Sequence, residues 1–267
     1  MTQMQKVIKY CAIALAVILI VAIIGGILKT VATLSSVFGA DGEDPGEMES
    51  FEITDGVRNL KISLSAAELV IKRGDALSLE SNGEKLRVRC ENGWLTVQDQ
   101  KRSALRGTVT VILTVPEGYS FDRIDIEAGA GNVNISDLTA KRFSMELGAG
   151  NVDIHALNVT EAVEIEGGTG KLSFSGSALH DLEMGLGVGD VTMEAALSGD
   201  CEIECGVGKA EISLLGNRSD YSIAVEKGIG KATVNGESVS NEQTVGNGKN
   251  KLEIHGGIGS VLITVAE

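Results

Sequence analysis

Stacked acids are the first residues in this chain that suggest chemistry. Glu164, Glu183 and Glu202 recur at intervals of 19, and Asp125 and Glu253 hold the same place in flanking repeats. A row of carboxylates could bind cations or a carbohydrate, and a pair of them could move protons in glycoside hydrolysis. Other spacings lead to less. Gly148-Ala149-Gly150-Asn151-Val152-Asp153 echoes a calcium-binding nonapeptide, but calcium needs several oxygens recurring in register. The column through Asp153 reads Asn134, Asp153, Ser173, Thr192, Glu211, Thr233 and Leu262, with no nine-residue subrepeat. Gly167-Gly168-Thr169-Gly170-Lys171 has the look of a phosphate loop, yet Leu172 stands where a hydroxyl must hold magnesium. His155, His180 and His255 lack ligand spacing and are expected as isolated, exposed turn residues. No Gly-x-Ser-x-Gly elbow occurs. The expectation is therefore no catalytic residue, no cofactor and no metal ligand. A carbohydrate-active enzyme is the alternative, and the aromatic content of 3% leaves it no stacking platforms for sugars.

Those acids are positioned by a repeat. A G-x-G frame recurs at Gly129 and Gly131, Gly148 and Gly150, Gly168 and Gly170, Gly187 and Gly189, Gly206 and Gly208, Gly228 and Gly230, and Gly257 and Gly259. The gaps between first glycines are 19, 20, 19, 19, 22 and 29. A fixed period near 20 marks a solenoid. Five and three residues before each first glycine, and four and six after it, every residue is apolar. Alternation of period two on both sides of the glycines is the mark of strands with one buried face. All fourteen glycines are expected as structural corners, where φ must be positive or no room is left for a side chain. The residue between them (Ala130, Ala149, Thr169, Val188, Val207, Ile229, Ile258) is expected to point inward. The fold expected is all-β: a single-stranded β-solenoid (β-helix-like) of about 19–20 residues per rung, with sequential rungs and a core of stacked ladders. An antiparallel sandwich is the competing architecture.

The domain plan has five parts. Residues 1–9 precede a membrane helix at 10–28, residues 29–50 form an acidic linker, residues 51–121 supply first rungs and a cap, and residues 122–267 form the G-x-G solenoid. In the fourth part, strands are expected at Leu60–Leu64, Leu69–Lys72, Ala76–Ser81, Leu86–Cys90, Trp94–Gln98 and Thr108–Val115. A polar insert at Gly236–Lys251 precedes the rung of Gly257.

At this point a resemblance can be stated. The runs NLKISLSAAELVIKRGDALSLES, LRVRCENGWLTV and VTVILTVPEGYSFDRIDIEAGAGNVNI resemble the bacterial adhesin-like, β-strand-repeat domain of unknown function over roughly residues 55–265. That family shows an S-A-A-E/D-V/L-x-I strand, a V-P-x-G-x-x-F-D step and then G-x-G-[ND] repeats. The resemblance implies a surface or envelope location, often alongside envelope-stress sensing, and brings no catalytic residues.

Residues 10–28 are uncharged and would span roughly 28 Å as a helix, close to a bilayer's hydrocarbon thickness. Lys6 and Lys9 precede them, so the N-terminus is expected in the cytoplasm and the bulk of the chain outside. A cleaved signal peptide is the rival reading. Three of the 23 basic residues and none of the 37 acids fall in residues 1–40, leaving 20 bases against 37 acids, a net −17, on the remainder. That surface repels phosphate backbones, which excludes nucleic acid as a partner. Cys201 and Cys205, four apart in a strand, lie roughly 13 Å apart, too far for a disulfide. The cysteines read as small hydrophobes. The expected role is a membrane-anchored extracytoplasmic, non-enzymatic adhesion or cell-envelope interaction module with an unidentified surface ligand or envelope protein as partner and with self-association open. Its candidate binding face is Glu164, Glu183 and Glu202, and envelope-stress sensing through cationic peptides is the alternative.

Overall fold

Alternating apolar residues become strand wherever the columns run. The computed structural model describes residues 47–83, 86–99, 109–241 and 243–265. The expected membrane helix and most of the linker lie outside them. Among the described residues no helix is long and apolar enough to cross a membrane. The strands are β1 (Glu49–Phe51), β2 (Asn59–Gly74), β3 (Ser78–Ser81), β4 (Leu86–Glu91), β5 (Trp94–Asp99), β6 (Val109–Pro116), β7 (Phe121–His180), β8 (Leu182–Ser198), β9 (Asp200–Leu214), β10 (Tyr221–Val234), β11 (Glu237–Ser238), β12 (Thr244–Val245) and β13 (Asn250–Val265). β7 winds without interruption through three rungs, and β2, β8, β9, β10 and β13 supply one each.

Rung-to-rung pairing is parallel and in column register: Ile62 on Ile126, Ile165 on Met184, Met184 on Ile203, Ile203 on Ile254 and Ile254 on Val225. An antiparallel sandwich is thereby overturned. Every column residue from Ile124 to Ile263 is buried, in one continuous core with Phe121 and Phe143 as its largest fully buried side chains. Stacking like on like keeps each rung's apolar face covered by two neighbours, which is what no isolated rung can do.

The G-x-G corners carry two separate demands. The second glycines sit at φ between +126° and +155°, where L side chains are strained. A Cβ on Gly150 would also lie 1.8 Å from the carbonyl oxygen of Gly131 in the neighbouring rung. Gly170, Gly189, Gly208, Gly230 and Gly259 meet a neighbouring carbonyl in the same way. The first glycines have ordinary φ, but a Cβ on Gly148 would come within 2.3 Å of the Gly129 oxygen. Gly168, Gly187, Gly206, Gly228 and Gly257 repeat that contact.

One corner departs from the expected frame, and it is that of Gly189. On one side Gly189 pairs with Gly170, as the frame requires. Toward β9 the ladder lapses at Gly189 and Asp190 and resumes with Val191 on Ala210. There the Asp190 carboxylate accepts the Lys209 N–H at 3.0 Å, so a side chain takes a donor that the backbone ladder leaves free. Gly189 is thus a corner by conformation and by crowding, but not a continuous rung pair on both faces.

The residue between the glycines does not point inward: Ala130 and Ala149 are exposed, and Ile229 is 66% exposed. The inward place before the corner belongs instead to Ala128, Leu147, Leu186 and Cys205, because the corner interrupts the period-two alternation.

Each return segment adds a third buried side, through Leu138 and Ala140, Leu157 and Val159, Ser177 and Leu179, and Ala195 and Leu197. In the first three the entry is a second corner, with Asp137, Ala156 and Gly176 at φ of 55°, 52° and 60°; the segment of Ala195 enters without one, one residue shorter. Cys201 and Cys205 are buried free thiols, and burial pushes Cys205 up to about 11.

One expectation about rung order is overturned. β13 follows β10 in the chain but lies between β9 and β10 in the stack: Val207 pairs with Ile258, and Ile258 pairs with Ile229. The connection Leu215–Asp220 therefore steps past one rung position. Tyr221 plugs that step from a buried position, its hydroxyl donating to Leu215 O and accepting from Leu197 N. At the outer edge β11 and β12 pair antiparallel with the two ends of β10.

The other end is built differently. β5 pairs with Asn59–Ser63 and β6 with Ala67–Gly74, making a partial rung ahead of β2. Antiparallel β4 covers β5, antiparallel β3 covers β6, and β1 pairs antiparallel with the outer edge of β3. β1 begins at Glu49, inside the stretch marked as linker, because Glu49 and Ser50 pair with Ser81 and Glu80.

Candidate functional site

The outward residues of the strand preceding each corner form two rows. The first, four residues before the corner glycine, runs in spatial order Lys61, Asp125, Ser144, Glu164, Glu183, Glu202, Glu253 and Ala224. The structure thus brings the three expected site residues together in adjacent rungs. It adds Glu253 directly beside Glu202, a neighbour that only the inverted rung order creates. Adjacent strands lie about 4.8 Å apart, and like charges directly opposite one another are destabilising. Nothing in the fold requires carboxylates at these exposed positions.

The second row, two residues before the corner, reads Ser63, Glu127, Glu146, Glu166, Gly185, Glu204, His255 and Glu226. Only parts of the two rows are neutralised by neighbours. Lys61 Nζ and Ser63 Oγ both bond Glu127, each at 2.9 Å, and together they hold its carboxyl below the usual range. Arg123 bonds Asp125 at 2.8 Å. The expectation that histidines stand alone fails at His255, whose ring lies 3.2 Å from Glu226 and 3.4 Å from both Glu202 and Glu253. The sequence put Glu226 and His255 a full insert apart; stacking β10 on β13 joins them. His155 and His180 meet serine hydroxyls at 3.0 and 2.9 Å, and His180 also faces Asp181 at 3.5 Å. Among the described residues the acids make no cross-rung pair with Lys171, Lys209 or Lys231; the Lys209 ammonium bonds Glu211 of its own rung instead.

Between the second row and the corner runs an open groove of about 560 Å³. Its floor is the bare backbone of Gly129, Gly148 and Gly168, and its wall is Glu127, Glu146 and Glu166. Asp99 closes one end by accepting from Ser65 N and Ser65 Oγ at 2.7 and 3.0 Å. Glycine at the corner has thus cleared a channel that runs along the stack, with carboxylates beside it. Among the described residues no group of three or more His, Cys, Asp or Glu has the geometry to hold a metal ion. The arrangement offers many weak, screened attractions to an extended cationic partner in place of one enclosed site.

A family model described as Toastrack DUF4097 matches residues 57–238, most of the chain. The chain belongs to that family. The resemblance read from the S-A-A-E strand, the V-P-x-G-x-x-F-D step and the G-x-G repeats therefore stands as Toastrack membership. No curated protein matches the chain. Among solved structures, the Toastrack chain is similar to a candidate cell-adhesion protein from Clostridium sporogenes, with 17% identity, 82% of this chain and 99% of that one covered, and a TM-score of 0.35. It is similar to a candidate adhesin from Bacteroides fragilis at 13% identity, 81% and 96% coverage and a TM-score of 0.44. A third, from Parabacteroides distasonis, has 12% identity, 83% and 98% coverage and a TM-score of 0.40.

Proposed function

We propose that this Toastrack chain is a non-enzymatic interaction module, held by residues 10–28 in a membrane with its solenoid outside, whose acidic face recognises an extended cationic partner at the cell envelope. The observation that carries the reading is the run Glu164, Glu183, Glu202 and Glu253, four carboxylates in consecutive rungs with water on one side. The rigid stack fixes the spacing of their backbones, so little backbone freedom is lost when a multivalent partner docks. Net charge of −17 beyond residue 40 adds a long-range field that steers such a partner in and weakens with salt.

The test is binding of residues 41–267 to intact bacterial cells, purified cell-wall polymer and a cationic peptide at two salt concentrations. Saturable binding that drops about tenfold or more in a variant carrying Glu164→Gln, Glu183→Gln, Glu202→Gln and Glu253→Gln supports the reading. Binding that ignores both salt and the four substitutions sinks it. Turnover of a glycan lost in the same variant would establish the enzyme reading instead.

A further inference from the structure

Charge arrangement around the corner row points to a second surface. Beyond Thr169 the residues between the paired glycines form an apolar row on the outside of the stack, and the row grows along its length: Val188, Val207, Ile258 and Ile229 in spatial order. Thr169, Val188, Val207 and Ile258 are half-buried, and Ile229, on the outermost rung, is 66% exposed. Bare glycines flank each of these side chains, so nothing on its own rung shields it. A row of β-branched apolar side chains on a strongly acidic surface is an unfavourable thing to leave in water.

The two flanks of this row differ in charge in a correlated way. Three residues before the apolar position stand Glu166, Glu204 and Glu226; two after it stand Lys171, Lys209 and Lys231 of the same three rungs. In the rung where the second flank carries Asp190, the first carries Gly185 and no acid. Among the described residues Lys171 and Lys231 make no ion pair, and the Lys209 ammonium bonds only Glu211. Within one molecule these lysines are thus not used to neutralise the glutamates across the corner.

We propose that the corner row is a dimer interface for a second copy of this chain, with the two stacks side by side, parallel, about a two-fold axis along the stack. That axis sets each rung against the same rung of the partner, so Val207 meets Val207 and Ile229 meets Ile229. It also turns the glutamate flank of one copy toward the lysine flank of the other: Glu166 to Lys171, Glu204 to Lys209 and Glu226 to Lys231. Asp190 then faces Gly185, where no carboxylate opposes it. Running the partner stack in reverse keeps the glutamate flanks together and repels. An isologous contact of this kind is self-complementary and closes at two copies, and the opposite charges select the parallel arrangement over the reverse one. The proposal stands apart from the cationic-partner reading, which rests on the row four residues before the corner.

The full chain in detergent micelles, with Cys11→Ala and Cys90→Ser, provides the test. Val207→Cys and Ile229→Cys are introduced singly, with exposed Thr192→Cys on another side as control, and disulfide-linked dimer is measured after mild oxidation. Both row variants are expected to give about tenfold more dimer than the control, and a mixture of the two should give few Val207–Ile229 hybrids, since unlike rungs do not meet. Glu204→Lys with Glu226→Lys should lower the yield about tenfold, and adding Lys209→Glu with Lys231→Glu should restore it. Yields equal to the control, hybrids as abundant as matched dimers, or indifference to charge reversal would each overturn the interface. All substituted row positions lie outside the core, so loss of fold does not confound the readout.

Discussion

The corner of β2 and the corners of β7 occupy equivalent places in the stack and are built from different residues. β2 turns at Ser65-Ala66-Ala67, and Ala67 has no positive φ; the rung stacked on it turns at Gly129-Ala130-Gly131, with Gly131 at φ 126°. What differs is the neighbour. β5 and β6 pair with β2 on either side of its corner, but among the described residues no backbone pairs with Leu64–Ala66 on that edge. There Ser65 keeps a side chain and uses it on Asp99. In every later rung a carbonyl oxygen of the preceding rung fills the Cβ position. Glycine in this solenoid is therefore demanded mainly by the rung next door and only secondarily by the bend.

The largest test of that contrast is to remove a neighbour. Deleting residues 250–265 withdraws an interior rung and uncovers edges of both β9 and β10, so amide exchange should accelerate across residues 200–234 while β2 and β7 keep their protection. Protection lost evenly over the whole stack, or not lost at all, would contradict the rung order. Next comes the corner itself. Gly150→Ala should cost about 3 kcal/mol or more in denaturant unfolding, since strain in φ and a backbone clash combine. Ala67→Gly should cost about 1–2 kcal/mol, from the entropy of an added glycine and the loss of one buried methyl, with no clash involved. Equal effects would mean that the bend, and not the neighbour, selects glycine.

A smaller test lies at the other end. Asn235 clamps β10 to β13 by donating its backbone N–H to Ile263 O and accepting from Val265 N, each at 2.8 Å, and it does so at φ 50°. Asn235→Ala should lose about 1–2 kcal/mol, from one buried-side hydrogen bond and the left-handed backbone. The smallest effect belongs to Glu127. Lys61 and Ser63 hold its carboxyl below the usual range, so its contribution is complete above the unfolded carboxylate value. That contribution fades as pH falls toward the folded value, and Glu127→Gln should flatten the acid limb of a stability-versus-pH curve slightly. An unchanged acid limb would show that the two bonds give Glu127 no preference for its charged form.

Much of this was legible in the residues, for a simple reason: the same four apolar columns recur around each corner, and a column seen seven times outweighs local propensity. The third side escaped notice because its residues, such as Ala140, Ser177 and Ala195, are small or polar, and because Phe174–Ser177 shifts register and breaks the column. Alternation continued straight through the corner would put the row between the glycines inside; the corner interrupts it and leaves that row outside. The lapse beside Gly189 was hidden too, since spacing marks the glycine and says nothing of the carboxylate that competes for its neighbour's amide. Rung order at the far end was invisible for a deeper reason. Ile223, Val225, Ala232 and Val234 in β10 match Leu252, Ile254, Val261 and Ile263 in β13 position for position, so either strand fits beside β9 by pattern alone. Only the lengthened gaps of 22 and 29 hinted that the path departs from simple winding. The acidic row was half visible: Glu164, Glu183 and Glu202 follow the period, whereas the approach of Glu253 and His255 to Glu202 depends on the inversion.

The inverted order also bears on how the molecule is completed in time. Synthesis delivers β10 before β13, at a moment when the surface presented by β9 is the best resting place for any strand with these columns. The native arrangement requires that place to be left open or given up, so that a later segment becomes the penultimate layer and the earlier one is carried outward with Tyr221 still seated. The stack is thus finished like an arch, by a piece set between two others, and it cannot be lengthened or shortened at that end one layer at a time.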